Sequence, residues 1–288
     1  MLDRLERRLK QLEMRCRRRV DHLLYGSYRS VFKGRGVEFE ELSAYRPGDD
    51  VRKMDWRVTL RTGEAHIKRF VEEREHFVYL IVDVSNSMTH ENNDRVRDAV
   101  TEVCALLTLS AQKNQDRVGL FLFTDQIEYA MPPDKGRGHT IRILDKLMRF
   151  EPKGKGTDLA ETLRCFGQVA KRRSIVFVVS DFLATGYASE LQALAFRHDV
   201  NAIRISSRQM EDSSFTGLAR IRDAESGLRE VIELKQERDS DSLETLRLAM
   251  LDMGVDLLDI PVGTDCADAL AHFFDLRQRK PSFLGAGK

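Results

Sequence analysis

The sequence has no apolar stretch close to the ~18 residues that a bilayer-spanning helix needs, and its arginine-rich beginning lacks the apolar core of a signal peptide. It also lacks a marked excess of charge of either sign, since 47 Lys and Arg residues face 46 Asp and Glu residues. This balance argues against a protein that binds nucleic acid through broad electrostatic attraction. We therefore expect a cytoplasmic protein with no transmembrane segment and no nucleic-acid partner.

Cysteine is scarce, with four residues in the chain, and none of them forms a C-x-x-C pair. Their wide spacing excludes the usual cysteine-based zinc motifs, and three of them lie within segments whose pattern is typical of helix faces. We expect reduced thiols rather than disulfides or metal ligands. The residues are Cys16, Cys104, Cys165 and Cys266.

Apolar content is ample, at 42% of 288 residues, and predicts at least one large core. From residue 77 onward apolar strands alternate with helical segments, which predicts an α/β fold with a mainly parallel sheet covered by helices on both faces. Residues 126–132 follow a strand so closely that we expect an antiparallel edge strand. Residues 218–234 predict a hairpin that extends the sheet or caps a face. The other predicted strands are 77–83, 117–124, 174–180, 199–206 and 255–260; the helices are 93–113, 138–149, 158–171, 187–197, 241–253 and 265–277.

The first 76 residues differ in character from the rest. Residues 1–25 have leucines at helical spacing among many arginines, and residues 30–76 predict short strands and turns. The helix either packs on its own protein or contacts a partner or a membrane surface through residues 1–20 and the cluster Arg15, Arg17, Arg18 and Arg19. We place the domain boundary between 1–76, a basic helix with a β-rich element, and 77–288.

Three polar loops follow predicted strands or precede a predicted helix, where ligands of parallel sheets bind. Their sequences are Asp83-Val84-Ser85-Asn86-Ser87, Gly156-Thr157-Asp158 and Ser180-Asp181-Phe182. All of their side-chain donors except one amide nitrogen are oxygens, which suits hard divalent cations rather than zinc. Residues two apart in an extended segment project to one side, so we expect Asp83, Ser85 and Ser87 to face one ion.

Each of these polar residues also has a structural interpretation. Asp158 fits a helix N-cap with Glu161 three residues later, the pattern of a capping box. Asn86 or Ser87 is suited to cap a helix, and Asp181 is suited to a turn after its strand.

The ordered set of D-x-S-x-S, G-T-D and S-D resembles the metal-ion-dependent adhesion site of von Willebrand factor A domains, over about residues 77–275. Residue by residue, the resemblance implies a metal site formed by Asp83, Ser85, Ser87, Thr157 and Asp181. Mg²⁺ is the expected ion, with Mn²⁺ or Ca²⁺ as alternatives.

Nearly the whole chain resembles the bacterial domain-of-unknown-function family 58. The segments that carry the resemblance are "GDDVRKMDW" (48–56), "RTGEAHIK" (61–68), "GTDL" (156–159) and "SDF" (180–182). The resemblance implies a Rossmann-like von Willebrand factor A domain preceded by an N-terminal helix and a small β-rich element. It also implies association with a MoxR-type AAA+ ATPase, in an adaptor or chaperone-like role.

From these observations we expect a non-enzymatic interaction module that docks a carboxylate of a protein partner, the ATPase or an acidic client, through the bound ion. The alternative is a Mg²⁺-dependent phosphohydrolase that uses Asp83 and Asp181. Against it, the first loop lacks paired acids and no Walker-type loop is present. His90 and His139 lie near the loops, but isolated histidines of this kind are typical of protein surfaces.

A second candidate docking surface lies in "RPGDDVRKMDWR" (46–57). Its closely spaced charges and single tryptophan fit a turn with ion pairs and a Trp buried for packing. The alternative is an exposed docking patch, because Trp and Arg are typical interface residues. The candidate docking residues are Arg52, Asp55, Trp56 and Arg57.

Overall fold

The computed structural model describes residues 2–32, 38–46, 51, 54–71, 75–89, 94–154, 156–206, 217–222, 229–234 and 239–279. They form two units. Met1–Val31 and Phe77–Lys288 form the larger one, and Phe32–His76 forms the smaller one. Across the residues described, no helix combines the length and apolar character that crossing a bilayer requires.

The strands described are β1 (Glu38–Ala44), β2 (His66–Val71), β3 (Phe77–Asp83), β4 (Arg117–Phe123), β5 (Ile127–Asp134), β6 (Ile175–Ser180), β7 (Asp199–Ser206), β8 (Gly217–Arg222), β9 (Arg229–Leu234) and β10 (Asp256–Pro261). The helices described are α1 (Leu2–Arg19), α2 (Tyr25–Val31), α3 (Trp56–Thr62), α4 (Asn86–Thr89), α5 (Asp94–Lys113), α6 (Arg137–Arg149), α7 (Leu159–Val169), α8 (Ala188–Arg197), α9 (Asp239–Asp252) and α10 (Cys266–Arg279). A π-helical segment, Val20–Leu24, joins α1 to α2.

The larger unit is built on a six-stranded sheet in the order β10-β7-β6-β3-β4-β5. Five strands run parallel, and β5 pairs antiparallel with β4 at one edge. These findings confirm the α/β class, the mainly parallel sheet and the antiparallel edge strand. The central strands are continuous apolar runs because both of their faces are buried, as in β3, where every residue after Phe77 is buried.

Helices cover both faces of this sheet. On one face, side chains of α7 and α8 such as Phe166 and Leu191 join Tyr79 and Val178 of the strands in one apolar cluster. On the other face, Phe177 of β6 meets Phe274 of α10, with ring centroids 6.5 Å apart. The sheet is thus the middle layer of three.

The N-terminal helices belong to the larger unit, because their buried side chains pack against α5 and α10. Leu24 and Tyr28 are fully buried, and the Tyr28 ring meets Phe274 edge-on at 5.6 Å. Arg15 pairs with Glu102 of α5 at 3.1 Å. The sequence-based division grouped this helix with residues 30–76, whereas these contacts group it with the sheet.

The smaller unit contains the antiparallel pair β1–β2 and helix α3. The sequence analysis predicted only strands and turns here, so α3 was missed. Asp55 caps its N-terminus by accepting hydrogen bonds from the backbone N–H groups of Arg57 and Val58. Gly63 ends it in the left-handed conformation at φ 79°, which glycine adopts readily.

Strands β8 and β9 pair with each other in a separate two-stranded sheet. The hairpin prediction is confirmed; of its two expected positions, extension of the main sheet is wrong. The edges of the main sheet are β10 and β5.

The four cysteines are free, and Cys16, Cys104 and Cys266 are buried. Burial raises the pKa of each of these three thiols to about 12, so they remain protonated at neutral pH.

Candidate functional site

The strand order reverses direction beside β3. From β3 the chain passes to β4 and β5 on one side, and later returns to β6, β7 and β10 on the other. Ligands of parallel α/β sheets bind at such a reversal, outside the carboxyl ends of the strands. Asp83 ends β3, and Ser180 ends β6 beside it, because Val82 pairs with Val179. The fold therefore places these two residues at its most favourable binding position.

Asp83 is fully buried, and hydrogen bonds hold both of its carboxylate oxygens. Oδ1 accepts the backbone N–H of Ser85 at 2.9 Å, and Oδ2 accepts the hydroxyl of Ser180 at 2.7 Å. The pKa of Asp83 is raised to about 6. Burial is the largest cause, the hydrogen bonds from Ser85 and Ser180 oppose the shift, and the nearby negative charge of Asp181 adds to it. A cation at this position would offset the burial of the charge.

Ser85 and Ser87 lie together, with their hydroxyl oxygens 3.1 Å apart. Ser85 is fully buried and Ser87 is half-buried. The expectation that an extended segment aligns Asp83, Ser85 and Ser87 is wrong in its geometry. The chain turns at Ser85 through the bond from its N–H to the Asp83 side chain, and residues 86–89 then form the helical turn α4.

Asp181 follows β6 as a half-buried residue, and its Oδ1 accepts the N–H of Leu183 at 3.1 Å. The next residue, Phe182, has φ 57°, which is uncommon for a non-glycine residue. The N–H of Phe182 donates to Ser180 Oγ at 3.2 Å and so helps hold this turn. The charge of Asp181 acts on Asp83, so the two carboxylates are electrostatic neighbours.

The loop with Thr157 is fixed to the carboxyl end of β4. The N–H of Asp158 donates to the Thr124 carbonyl at 2.9 Å, and Glu128 Oε1 accepts the N–H groups of Lys153 and Gly154 at 3.0 and 2.6 Å. Strand β4 is the neighbour of β3, so half-buried Thr157 lies at the same edge of the sheet as Asp83.

Asp158 is the N-cap of α7, as its structural interpretation predicted, because its Oδ1 accepts the N–H of Glu161 at 2.9 Å. In a full capping box the Glu161 side chain would accept the N–H of Asp158. Here that N–H donates to the Thr124 carbonyl, and the Glu161 side chain accepts a hydrogen bond from Arg164.

The structure thus brings Asp83, Ser85 and Ser87 into one contacting group and sets Asp181 within electrostatic range of it. Sequence reasoning missed the role of Ser180, although it marked the loop that contains this residue. A hydroxyl at the end of an otherwise apolar strand was the available signal.

The donor set fits a hard cation by its chemistry, because carboxylate and hydroxyl oxygens are what Mg²⁺ and Ca²⁺ prefer. Within the described ranges, no group of three or more His, Cys, Asp or Glu side chains is arranged to hold a metal ion. Asp83 and Asp181 are the carboxylates of the candidate set, and hydroxyls supply its other donors.

The candidate docking residues of 46–57 differ in their exposure and their hydrogen bonds. Trp56 is 60% exposed, so the interpretation of a tryptophan buried for packing is wrong. Arg57 is exposed as well. Asp55 uses its carboxylate as the cap of α3. Arg52 lies outside the described residues.

His139 is buried rather than on the surface, which corrects the expectation for it. Its Nε2 lies 2.6 Å from the carbonyl oxygen of Val118, near the start of β4. This position is at the opposite end of the strand from the candidate site. His90 lies outside the described residues.

Comparison with protein families gives a match over residues 41–245 to the model described as "Protein of unknown function DUF58". The chain belongs to this family. Uncharacterized proteins from Mycobacterium tuberculosis and Mycobacterium bovis are each 31% identical to it over 224 residues, which is 76% of this chain and 71% of the relative.

Among solved structures, this DUF58 chain is similar to a conserved hypothetical protein, BatB, from Bacteroides thetaiotaomicron. The two are 14% identical, the match covers 70% of this chain and 98% of that one, and the TM-score is 0.45. The chain is also similar to an aerotolerance-related membrane protein from Bacteroides fragilis. These two are 16% identical, the match covers 72% of this chain and 100% of that one, and the TM-score is 0.47.

Proposed function

We propose that this DUF58 protein is a non-enzymatic docking module whose sheet-bearing unit is a von Willebrand factor A-type domain. In this proposal a divalent cation is held by Asp83, Ser85, Ser87, Thr157 and Asp181. Mg²⁺ is the expected ion. The observation that carries the proposal is the buried Asp83 carboxylate, oriented by Ser180 and Ser85 beside the Ser85–Ser87 hydroxyl pair.

Each residue has a distinct part in the proposed site. Ser180 and the Ser85 N–H orient the Asp83 carboxylate, so its remaining lone pairs are directed without rearrangement. The hydroxyls of Ser85, Ser87 and Thr157 would bind the cation without adding negative charge to the site. When bound, the cation would supply an open coordination position for an acidic ligand. Asp181 is half-buried, so its carboxylate is more accessible than that of the fully buried Asp83.

The partner ligand is then an Asp or Glu side chain of another protein. One carboxylate contact fixes a point, and the loops around it add area and specificity. From the resemblance described above, we propose a MoxR-type AAA+ ATPase or an acidic client as this partner.

The hydrogen bonds of the polar side chains favour docking over phosphoester hydrolysis. Both oxygens of Asp83 accept hydrogen bonds, and Asp181 Oδ1 accepts a backbone N–H. His139 Nε2 is hydrogen-bonded to the Val118 carbonyl at the far end of β4. A general base must reach the reacting group, whereas in this proposal Asp83 and Asp181 hold the cation and His139 lies at the far end of β4.

The test is affinity capture from lysate of the source cell with wild-type and Asp83→Ala baits, each with Mg²⁺ and with chelator, followed by mass spectrometry. Asp252→Ala, which removes an exposed carboxylate of α9, is the matched control. The proposal predicts an ATPase or acidic client retained by wild type and Asp252→Ala with Mg²⁺ alone. Equal retention in every sample would contradict it, and Mg²⁺-dependent turnover of a phosphoester by the wild type would favour the enzyme.

A further inference from the structure

Helix α3 of the smaller unit carries two large apolar side chains on its outside. Trp56 is 60% exposed and Leu60 is 83% exposed. They are four residues apart, and successive residues of an α-helix are about 100° apart around the axis, so the two side chains lie on one stripe. Exposed apolar side chains that adjoin one another mark interaction surfaces more reliably than scattered ones.

The outward position of this stripe follows from how α3 is attached. The opposite side of the helix carries the half-buried Val58 and Thr59. The Thr59 hydroxyl accepts the N–H of His66 in β2 at 3.1 Å, and the Asp55 N–H donates to the His66 carbonyl at 2.8 Å. Because these bonds fix the inner side of α3 against β2, Trp56 and Leu60 point away from their own unit.

A basic stripe runs beside the apolar one. Arg57 and Arg61 are exposed, four residues apart, and adjacent to Trp56 and Leu60 on the helix surface. Neither guanidinium forms an ion pair with the residues that the structure describes. Glu64 is an exposed carboxylate just beyond the helix, and the Asp55 carboxylate is bonded to backbone N–H groups. The outer surface of α3 is therefore apolar on one side and positively charged on the other.

The helix is also held in shape before any partner arrives. Asp55 caps its beginning, and Gly63 closes its end with an N–H bond to the Thr59 carbonyl at 2.9 Å. A preformed element loses less conformational entropy on binding than a flexible loop does.

We propose that α3 is a docking helix that inserts Trp56 and Leu60 into an apolar groove of a partner protein whose rim carries Asp or Glu side chains opposite Arg57 and Arg61. Charge complementarity selects the acidic rim, and the i, i+4 anchors match the way short helices enter protein grooves. Trp and Arg are the side chains most enriched at the energetic centres of protein interfaces.

A protein groove fits α3 better than a bilayer does. Helices that lie in a membrane surface bury an apolar face along their length. Helix α3 has seven residues, and its opposite side is occupied by β2, so two side chains are the whole apolar stripe. The residues of this surface belong to the smaller unit, whereas those of the proposed cation site belong to the larger one.

The test places a photoreactive diazirine amino acid at position 60 of the full chain in the source cell and maps the crosslinked residues by mass spectrometry. Position 196 is the matched control, because Phe196 on α8 is 92% exposed. The proposal predicts crosslinks from position 60, and not from 196, to one protein, at apolar residues flanked by Asp or Glu. Crosslinks to lipid, to a second copy of this chain, or to no partner would overturn it.

Charge is tested in the same experiment. The double variant Arg57→Glu/Arg61→Glu should lower the crosslinking yield about tenfold, as expected for interface residues of this kind, whereas the control Arg279→Glu, at an exposed arginine of α10, should not. Unchanged melting temperature shows that each variant is folded. An unchanged crosslinking yield for the double variant would contradict the proposal that the partner's groove has an acidic rim.

Trp56 is the single tryptophan of the chain, so its fluorescence reports on α3 alone. Adding the purified protein that crosslinking identifies as the partner should shift the Trp56 emission to shorter wavelength and protect Trp56 from iodide quenching. Phosphatidylglycerol vesicles should leave the emission unchanged. The same shift in Asp83→Ala with chelator is expected, so failure of the cation site and failure of the α3 surface give different results.

Discussion

Ser180 Oγ donates a 2.7 Å hydrogen bond to Asp83 Oδ2, and this bond joins the carboxyl ends of two neighbouring parallel strands. The same Ser180 oxygen accepts the N–H of Phe182 at 3.2 Å. One buried hydroxyl therefore orients the central carboxylate of the site and holds the turn that carries Asp181.

Ser180→Ala should weaken divalent-cation binding by about 10-fold to 100-fold, the usual loss when a group that orients a metal ligand is removed. The cause is that Asp83 would keep one of its two orienting hydrogen bonds. Isothermal titration with Mg²⁺ measures the change. Ser174→Ala is the control, because Ser174 is buried just before the other end of β6 and its hydroxyl bonds to the Arg172 carbonyl. Equal affinities for the two variants would contradict this role of Ser180.

Gly154→Ala should lower the free energy of unfolding by about 1–3 kcal/mol, the usual effect of overpacking. A Cβ at this position would lie 2.0 Å from Asp125 Oδ1 and 2.2 Å from Thr124 Oγ1. The displaced loop carries Thr157, so cation affinity should fall too. Gly138→Ala in α6 is the control, since among the described residues nothing beyond its chain neighbours and its own helix backbone lies within 4 Å of the position that its Cβ would take.

Gly138→Ala should instead leave the free energy of unfolding unchanged or raise it by less than about 0.5 kcal/mol. Gly138 is the second residue of α6, and the full preference of alanine over glycine, about 0.5–1 kcal/mol, applies to helix interiors. Urea denaturation measures both variants. If Gly154→Ala were as stable as the wild type, the close packing of this loop against the β4–β5 turn would be refuted.

His198 should make the protein less stable in acid. It is 2% exposed and packs against Phe166, with ring centroids 5.8 Å apart. Burial lowers the pKa of His198 below its ordinary value, and the charges of Arg197 and Arg173 lower it further. Because the unfolded chain binds this proton more readily, the contribution of His198 to stability is present above the unfolded pKa of about 6.5 and is lost as the pH falls below it.

His198→Leu should therefore lose less stability than the wild type between about pH 7.5 and pH 5.5. Urea midpoints at the two values measure the difference. His272→Gln, a change at an exposed histidine of α10, should retain the wild-type loss. A His198→Leu variant with the full wild-type loss would show that another group causes the acid sensitivity.

Leu24→Ala should destabilise the sheet-bearing unit by about 2–5 kcal/mol, the usual range for removing a buried leucine side chain. Leu24 is fully buried, whereas its neighbour Leu23 is 37% exposed. Leu23→Ala should therefore have a much smaller effect. Thermal denaturation compares the two, and equal losses would argue against the packing of the N-terminal helices on α5 and α10.

Most of the sheet-bearing unit could be predicted from the sequence, because strands buried on both faces are continuous apolar runs with sharp ends. The prediction of 77–83 matches β3, and 199–206 matches β7. Helix α3 was missed since its seven residues are too short to show a clear period. Its end signals, Asp55 and Gly63, stand among many other polar residues.

For the candidate site, the sequence indicates a set of polar residues but not their geometry. The D-x-S-x-S spacing identified Asp83, Ser85 and Ser87, yet a side-chain turn and a short helix bring them together instead of an extended strand. The role of Ser180 depends on the register of β6 beside β3. Such pairing joins residues nearly a hundred positions apart, and local patterns in one sequence do not contain it.

The most direct test of the central claim is a titration of Mn²⁺ into the metal-free protein, with free Mn²⁺ followed by electron paramagnetic resonance and Mg²⁺ added as a competitor. The working pH is about 7.5, where a carboxyl with a pKa of about 6 is ionised. We predict a single site that Mg²⁺ displaces, present in the wild type and in Asp252→Asn and absent in Asp83→Asn. Absence of binding by the wild type, or equal binding by all three proteins, would contradict the proposed cation site.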